Sequence, residues 1–125
     1  MTATKMGVVQ MRIMNVLWAL GQATARQITD ELNKSEPIAH STVQTLLRGL
    51  MDKGAVTHES EGRTFIFKPA VEEDKVRKSA TRDLIQRVFD GSARELVSHL
   101  LKNEKISKQE LDEIKKLINE KSRKK

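Results

Sequence analysis

The stretch Ser41-Thr42-Val43-Gln44-Thr45-Leu46-Leu47-Arg48-Gly49-Leu50-Met51-Asp52-Lys53-Gly54 runs directly into Ala55-Val56-Thr57-His58-Glu59, Ser60-Glu61-Gly62-Arg63 and Thr64-Phe65-Ile66-Phe67-Lys68-Pro69. Its apolar period changes at Gly54 from helical to two-residue. Ser41-Thr42-Val43-Gln44 has the form of a capping box, which predicts a helix from Ser41 to Lys53 ended by Gly54. Ala55–Glu59 and Thr64–Lys68 then read as short strands of a hairpin with Gly62 at its tip and Pro69 at its close.

Upstream, Ile13, Val16, Leu17 and Leu20 recur at helical spacing from Val8 to Leu20, and Gly21 stops the pattern. Thr24-Ala25-Arg26-Gln27 is a second capping box, opening a short helix through Ile28 and Leu32. Residues 33–40, with Pro37, read as loop. Three helices and a hairpin in 70 residues are the layout of a winged helix-turn-helix.

Downstream of Ala70 the pattern is helical throughout. One long helix runs to about Phe89 and breaks at Gly91. Ser92-Ala93-Arg94-Glu95 and Ser107-Lys108-Gln109-Glu110 open two more. The predicted fold is mainly α: a winged helix-turn-helix over 1–70, then a three-helix dimerisation region over 71–125 with a basic C-terminal tail.

On the Ser41–Lys53 helix, Val43, Leu46, Leu47 and Leu50 form one stripe, which must face the core. Ser41, Thr45, Arg48 and Asp52 lie opposite, with Gln44 on the flank. Arg pairs with guanine, Gln with adenine, and the Thr methyl meets thymine. Because the N-terminal part of a recognition helix meets the bases, Thr42, Gln44, Thr45 and Arg48 are the expected readers. Most polar helix faces are merely solvated; the basic hairpin tip at Arg63 tilts the balance toward nucleic acid. Lys53 and Arg26, near helix ends, are weaker candidates. Trp18 is expected in the core, and Phe65 and Phe67 are expected to pack the hairpin onto it.

The 125 residues carry 23 Lys+Arg against 17 Asp+Glu, a net +6. Residues 1–70 hold 8 cationic against 6 acidic side chains, only +2. The run Lys121-Ser122-Arg123-Lys124-Lys125 holds much of the rest and reads as a disordered tail. DNA binding therefore depends on where charge is placed, since the total alone is modest. No Cys is present, which removes disulfides and every thiolate site. His40, His58 and His99 match no metal-ligand spacing, the Met residues form no copper array, and no catalytic constellation is evident. No cofactor, metal or enzymatic activity is expected. The Val8–Leu20 run is too short and polar to span a bilayer and no signal-peptide pattern precedes it, so the expected location is cytoplasmic, without a membrane partner.

The later helices carry apolar stripes that three short helices cannot cover alone. Val76, Leu84 and Val88, then Leu96 and Leu100, then Leu111, Ile114, Leu117 and Ile118, are the expected homodimer contacts. Packing of these stripes back onto the winged helix is the alternative.

Several stretches together resemble the penicillinase and methicillin-resistance repressor family, with its copper-transport branch (BlaI/MecI/CopY). They are Val16-Leu17-Trp18-Ala19-Leu20-Gly21-Gln22-Ala23-Thr24, Ser41-Thr42-Val43-Gln44-Thr45-Leu46-Leu47-Arg48, Lys53-Gly54-Ala55-Val56 and Glu61-Gly62-Arg63-Thr64-Phe65. Phe67-Lys68-Pro69, Phe89-Asp90-Gly91-Ser92 and Ile106-Ser107-Lys108-Gln109-Glu110-Leu111 continue the match, which covers about Gly7 to Ile118. The resemblance implies a homodimeric repressor on a pseudo-palindromic double-stranded DNA operator. In the β-lactamase branch a sensor-triggered protease is a further partner and cuts an Asn-Phe bond. The corresponding pair here is His99-Leu100, a departure. The absence of Cys removes the copper branch's Cys-x-Cys ligands. Gly49, inside the recognition helix, is also unusual and costs about 1 kcal/mol relative to Ala. A winged helix used only for protein interaction, and a repressor triggered by a small molecule, are the remaining alternatives.

Overall fold

In the computed structural model, which describes residues 6–124, the winged helix is built from α1 (Val8–Leu20), α2 (Ala25–Asn33), α3 (His40–Asp52), β1 (Val56–Glu61) and β2 (Thr64–Pro69). Helices α4 (Glu73–Val88), α5 (Ala93–Asn103) and α6 (Lys108–Arg123) follow. The expected fold class is the observed one, a mainly helical chain with a winged helix-turn-helix.

Local chemistry accounts for the element ends. Gly21 closes α1 at φ 87°, a left-handed region that suits glycine, and its N–H donates to Leu17 O at 2.7 Å. Thr24 Oγ1 accepts from Gln27 N (3.1 Å) while Gln27 Oε1 accepts from Thr24 N (2.8 Å), a complete capping box. Ser92 and Ser107 cap α5 and α6 by accepting from Glu95 N and Glu110 N. Ser41 does not cap α3. The helix begins one residue earlier, with Ala39 in the cap position and no side-chain cap bond. The preceding turn determines that entry: Asn33 Nδ2 donates to Thr29 O and Ile38 O, and its Oδ1 accepts from Ile38 N.

The core gathers Ile13, Met14 and Leu17 of α1, Ile28 and Leu32 of α2, Val43, Leu47 and Leu50 of α3, and Ala55, Val56 and Phe67 of the wing. The α1 stripe is rotated from the expected one: Met14 is buried, Val16 is half-buried and Leu20 is exposed. Leu46 is likewise only half-buried. Strands β1 and β2 pair antiparallel from Val56↔Pro69 to Glu61↔Thr64, leaving the two-residue turn Gly62-Arg63. Gly62 has φ +66°, which a two-residue hairpin requires of its first turn residue. Ala23 bridges to Phe67 through two backbone bonds of 3.0 and 2.8 Å, pinning the wing to the α1–α2 connection.

Gly49 has a packing reason. A Cβ there would meet Gln10 Nε2 at 3.0 Å, so the small residue lets the Gln10 side chain cross α3. Gln10 Oε1 then accepts from Lys53 Nζ at 2.8 Å.

The chain divides into two compact units, Met1–Ala80 and Thr81–Lys125. The division falls inside α4, where the reading from sequence drew it at 70/71. Trp18, half-buried, donates from Nε1 to Val71 O at 3.0 Å, and Val76 is 2% exposed, so the start of α4 belongs with the winged helix. Val76 is thus covered within its own chain, unlike the other apolar side chains expected at a dimer contact. Asp90 (φ 53°) and Gly91 (φ 86°) turn the chain after α4. Helix α6 continues through Arg123, so most of the run expected to be a disordered tail is helical; Lys125 lies outside the described residues, as do residues 1–5.

Candidate nucleic-acid interface

The first turns of α2, one face of α3 and strand β2 enclose an open groove of about 830 Å³. Its floor is apolar, formed by Leu47, Met51, Phe65 and Phe67. Its rim carries Thr24, Arg26, His40, Gln44, Arg48, Arg63 and Thr64. No carboxylate lines it. The fold itself produces this placement: the Val43/Leu47/Leu50 face is committed to the core, and the two-residue turn carries Arg63 to the groove's edge.

The cationic side chains of the winged helix fall into two groups. Arg12 binds Glu36 at 3.3 Å and also donates to Leu32 O and Ser35 Oγ, tying α1 to the end of α2. Lys34 lies 2.8 Å from Glu31, whose hydrogen bond and charge raise its pKa above the ordinary lysine value. Lys68 pairs with Glu59 at 3.5 Å and Lys53 donates to Gln10. Arg26, Arg48 and Arg63 pair with no carboxylate among the described residues, and these three line the groove. The small net charge of this half is therefore concentrated on one surface, which is the electrostatic footprint of a polyanion site.

Of the residues expected to meet DNA, the groove gathers Gln44, Arg48 and Arg63. Ser41, Thr42 and Thr45 are exposed on the first turns of α3 but are not part of its lining, and Thr45 Oγ1 donates back to Ser41 O. Lys53 lies outside the groove, its Nζ held by Gln10. Arg26 takes its place as a third arginine. Phe65 is 50% exposed and faces the groove, whereas only Phe67 enters the core as expected. The Phe65 ring stands edge-on to His58 at 4.6 Å. The sequence places His40 only at the end of the 33–40 loop. Its place on the rim follows from the early start of α3, which no local motif signals.

Among the described residues no group of three or more His, Cys, Asp or Glu side chains is placed to hold a metal. No helix among them is long and apolar enough to cross a membrane.

Comparison with known proteins agrees with this architecture. The penicillinase repressor of Bacillus licheniformis is 29% identical over 117 residues, covering 93% of this chain and 91% of that protein. The methicillin resistance regulatory protein MecI of Staphylococcus aureus (strain N315) is 26% identical over 109 residues, 87% of this chain and 89% of that one. Among solved structures, the DNA-binding domain of the repressor BlaI superposes with a TM-score of 0.53 at 30% identity, covering 57% of this chain and 87% of that one. The Bacillus licheniformis BlaI monomeric form in complex with the blaP half-operator gives 0.50 at 30% identity, covering 56% and 85%. A complex of hsRosR-SG, at 16% identity, shares the fold alone, with a TM-score of 0.55 over 98% of this chain and 96% of that one. The sequence pattern of the penicillinase repressor family matches residues 6–120. The resemblance read from the sequence is thereby confirmed, and this chain belongs to the penicillinase repressor family.

Proposed function

We propose that the protein is a transcriptional repressor that binds double-stranded DNA through α3 and the β1–β2 wing, as a homodimer on a pseudo-palindromic operator. The observation that carries the DNA reading is the segregation of Arg26, Arg48 and Arg63 into one carboxylate-free groove beside the exposed polar face of α3. The half-operator bound by the BlaI relative supports the same assignment. Arg48 contacts a base edge or its phosphate, Gln44, Thr42 and Thr45 read neighbouring positions, and Arg63 covers the flanking backbone. The family is one of repressors, which are not enzymes.

The dimer reading rests on the apolar side chains left exposed by the single chain. Leu84 and Val88 of α4, Leu100 of α5, and Leu117 and Ile118 of α6 are all exposed, while Leu96, Leu111 and Ile114 are half-buried. A two-fold partner that covers them presents two recognition helices, and half-sites one helical turn apart, about 34 Å, follow from that symmetry.

Salt separates this function from a winged helix used only for protein contact. Affinity for duplex DNA is expected to fall steeply and linearly in a log–log plot of binding against salt, with a shallower slope for Arg63→Ala. Binding that is absent at low salt, or indifferent to salt, contradicts the DNA reading.

A further inference from the structure

Thr29 is the one buried polar side chain among the described residues, 4% exposed. Its Oγ1 lies 2.9 Å from Ala25 O and 2.8 Å from His40 Nδ1. A hydroxyl has one proton to give, a carbonyl oxygen can only accept, and an imidazole nitrogen can do either. The arrangement that satisfies all three atoms has Thr29 donating to Ala25 O and His40 Nδ1–H donating to Thr29 Oγ1. The other ring nitrogen, Nε2, is then a lone-pair acceptor in the neutral ring and an N–H donor in the charged one.

His40 is the first residue of α3 and lines the arginine groove. We propose that His40 is a further DNA-contacting residue, its ring oriented by Thr29 through Nδ1 so that Nε2–H donates to a backbone phosphate. This inference rests on the DNA-binding reading above. A neutral Nε2 turns a lone pair toward a phosphate oxygen, which repels it; a protonated one makes a charge-assisted hydrogen bond. The charged groups that line the groove with His40 are Arg26 from α2, Arg48 from α3 and Arg63 from the hairpin, with no carboxylate among them. The duplex brings the anionic partner, so DNA binding and protonation of His40 favour one another. The contact is therefore expected to favour binding more at low pH than at high pH. Thr29 acts as a positioning residue.

The test is equilibrium binding of a duplex enriched by the wild-type protein from a random pool, at constant ionic strength, between about pH 5.5 and 8, a range that brackets imidazole titration. Wild-type affinity is expected to fall about three- to tenfold across that range, well within the ceiling of about tenfold per pH unit that one linked proton sets. His40→Gln is expected to be flat, at the wild-type level of high pH, and His58→Gln to keep the wild-type profile. Thr29→Val is expected to lose part of the pH dependence, which a purely structural role would leave intact. Should either variant misfold, the imidazole resonances of the wild-type protein, followed by NMR with and without the duplex, give the same answer. Uptake of a proton at His40 on binding supports the proposal. A flat wild-type profile, a His40→Gln profile matching the wild type, or no proton uptake overturns it while leaving DNA binding standing. No enriched or bound duplex at any pH overturns the DNA reading and this contact with it.

Discussion

Every buried apolar side chain among the described residues lies at or before Val76; from Thr81 on, none is buried. Both regions carry amphipathic helices with side-chain caps: Ser92 and Ser107 bond α5 and α6 as Thr24 bonds α2. Good local chemistry therefore specifies a helix without specifying what it packs on. The winged helix closes its core because three helices and a hairpin converge on one set of side chains. The later helices keep Leu117 65% exposed and Val88 66% exposed, and covering such a side chain contributes about 1.5–3 kcal/mol. One region closes its core within a single chain, and the other leaves its apolar stripes exposed, where the proposed second copy would pack.

The largest expected effect tests the closed core. Leu17→Ala removes a fully buried side chain and should destabilise the winged helix by about 2–5 kcal/mol, measured by urea unfolding at any protein concentration. Leu117→Ala should behave differently: close to neutral at high dilution, and destabilising at concentrations where the wild-type pair forms. Equal cost at all concentrations would remove the distinction between the regions.

Leu100→Glu places a charge on the exposed stripe of α5. Sedimentation should show a shift from dimer to the 14.2 kDa monomer, with weaker operator binding and an unchanged core. A dimer that survives this change and its Leu117→Glu counterpart moves the interface elsewhere.

The smallest effect concerns the caps. Thr24→Ala should cost about 1 kcal/mol in the winged helix, because Gln27 N loses its Thr24 Oγ1 acceptor while the backbone N–H of residue 24 keeps its bond to Gln27 Oε1. Ser107→Ala should cost a similar amount, but only where α6 is ordered by a partner. Hydrogen exchange of the α6 amides, read at low and high protein concentration, distinguishes the two cases.

What could be read in the sequence divides along physical lines. Gly21, the Thr24 box, the Ser92 and Ser107 caps and the turn at Gly62 depend on residues within four positions of one another, and each formed where predicted. The exception is the length of the turn: Ser60 and Glu61 pair with Phe65 and Thr64, so the expected four-residue connection shrinks to Gly62-Arg63. The start of α3 did not, because its entry angle is determined by Asn33 bridging the turn to Ile38, a contact decided by how α2 and α3 meet. That one-residue difference makes His40 the first residue of α3, on the groove, and leaves Ser41 inside the helix, exposed and not capping it. Arg48 and Arg63 were legible from helix phase and turn position. Arg26 could be promoted only once Arg12, Lys34, Lys53 and Lys68 were found engaged elsewhere. The end of α6 shows the converse: a basic run reads as a loose tail, yet the Ile114, Leu117, Ile118 periodicity carries the helix through to Arg123.

The most direct test of the repressor account is selection of bound duplexes from a random pool by the wild-type protein and by Arg48→Ala. The account predicts an enriched palindrome with half-sites about one helical turn apart for the wild type, and relaxed preference at one position per half-site, about 1–3 kcal/mol, for the variant. Recovery of no enriched palindrome by the wild-type protein would contradict it.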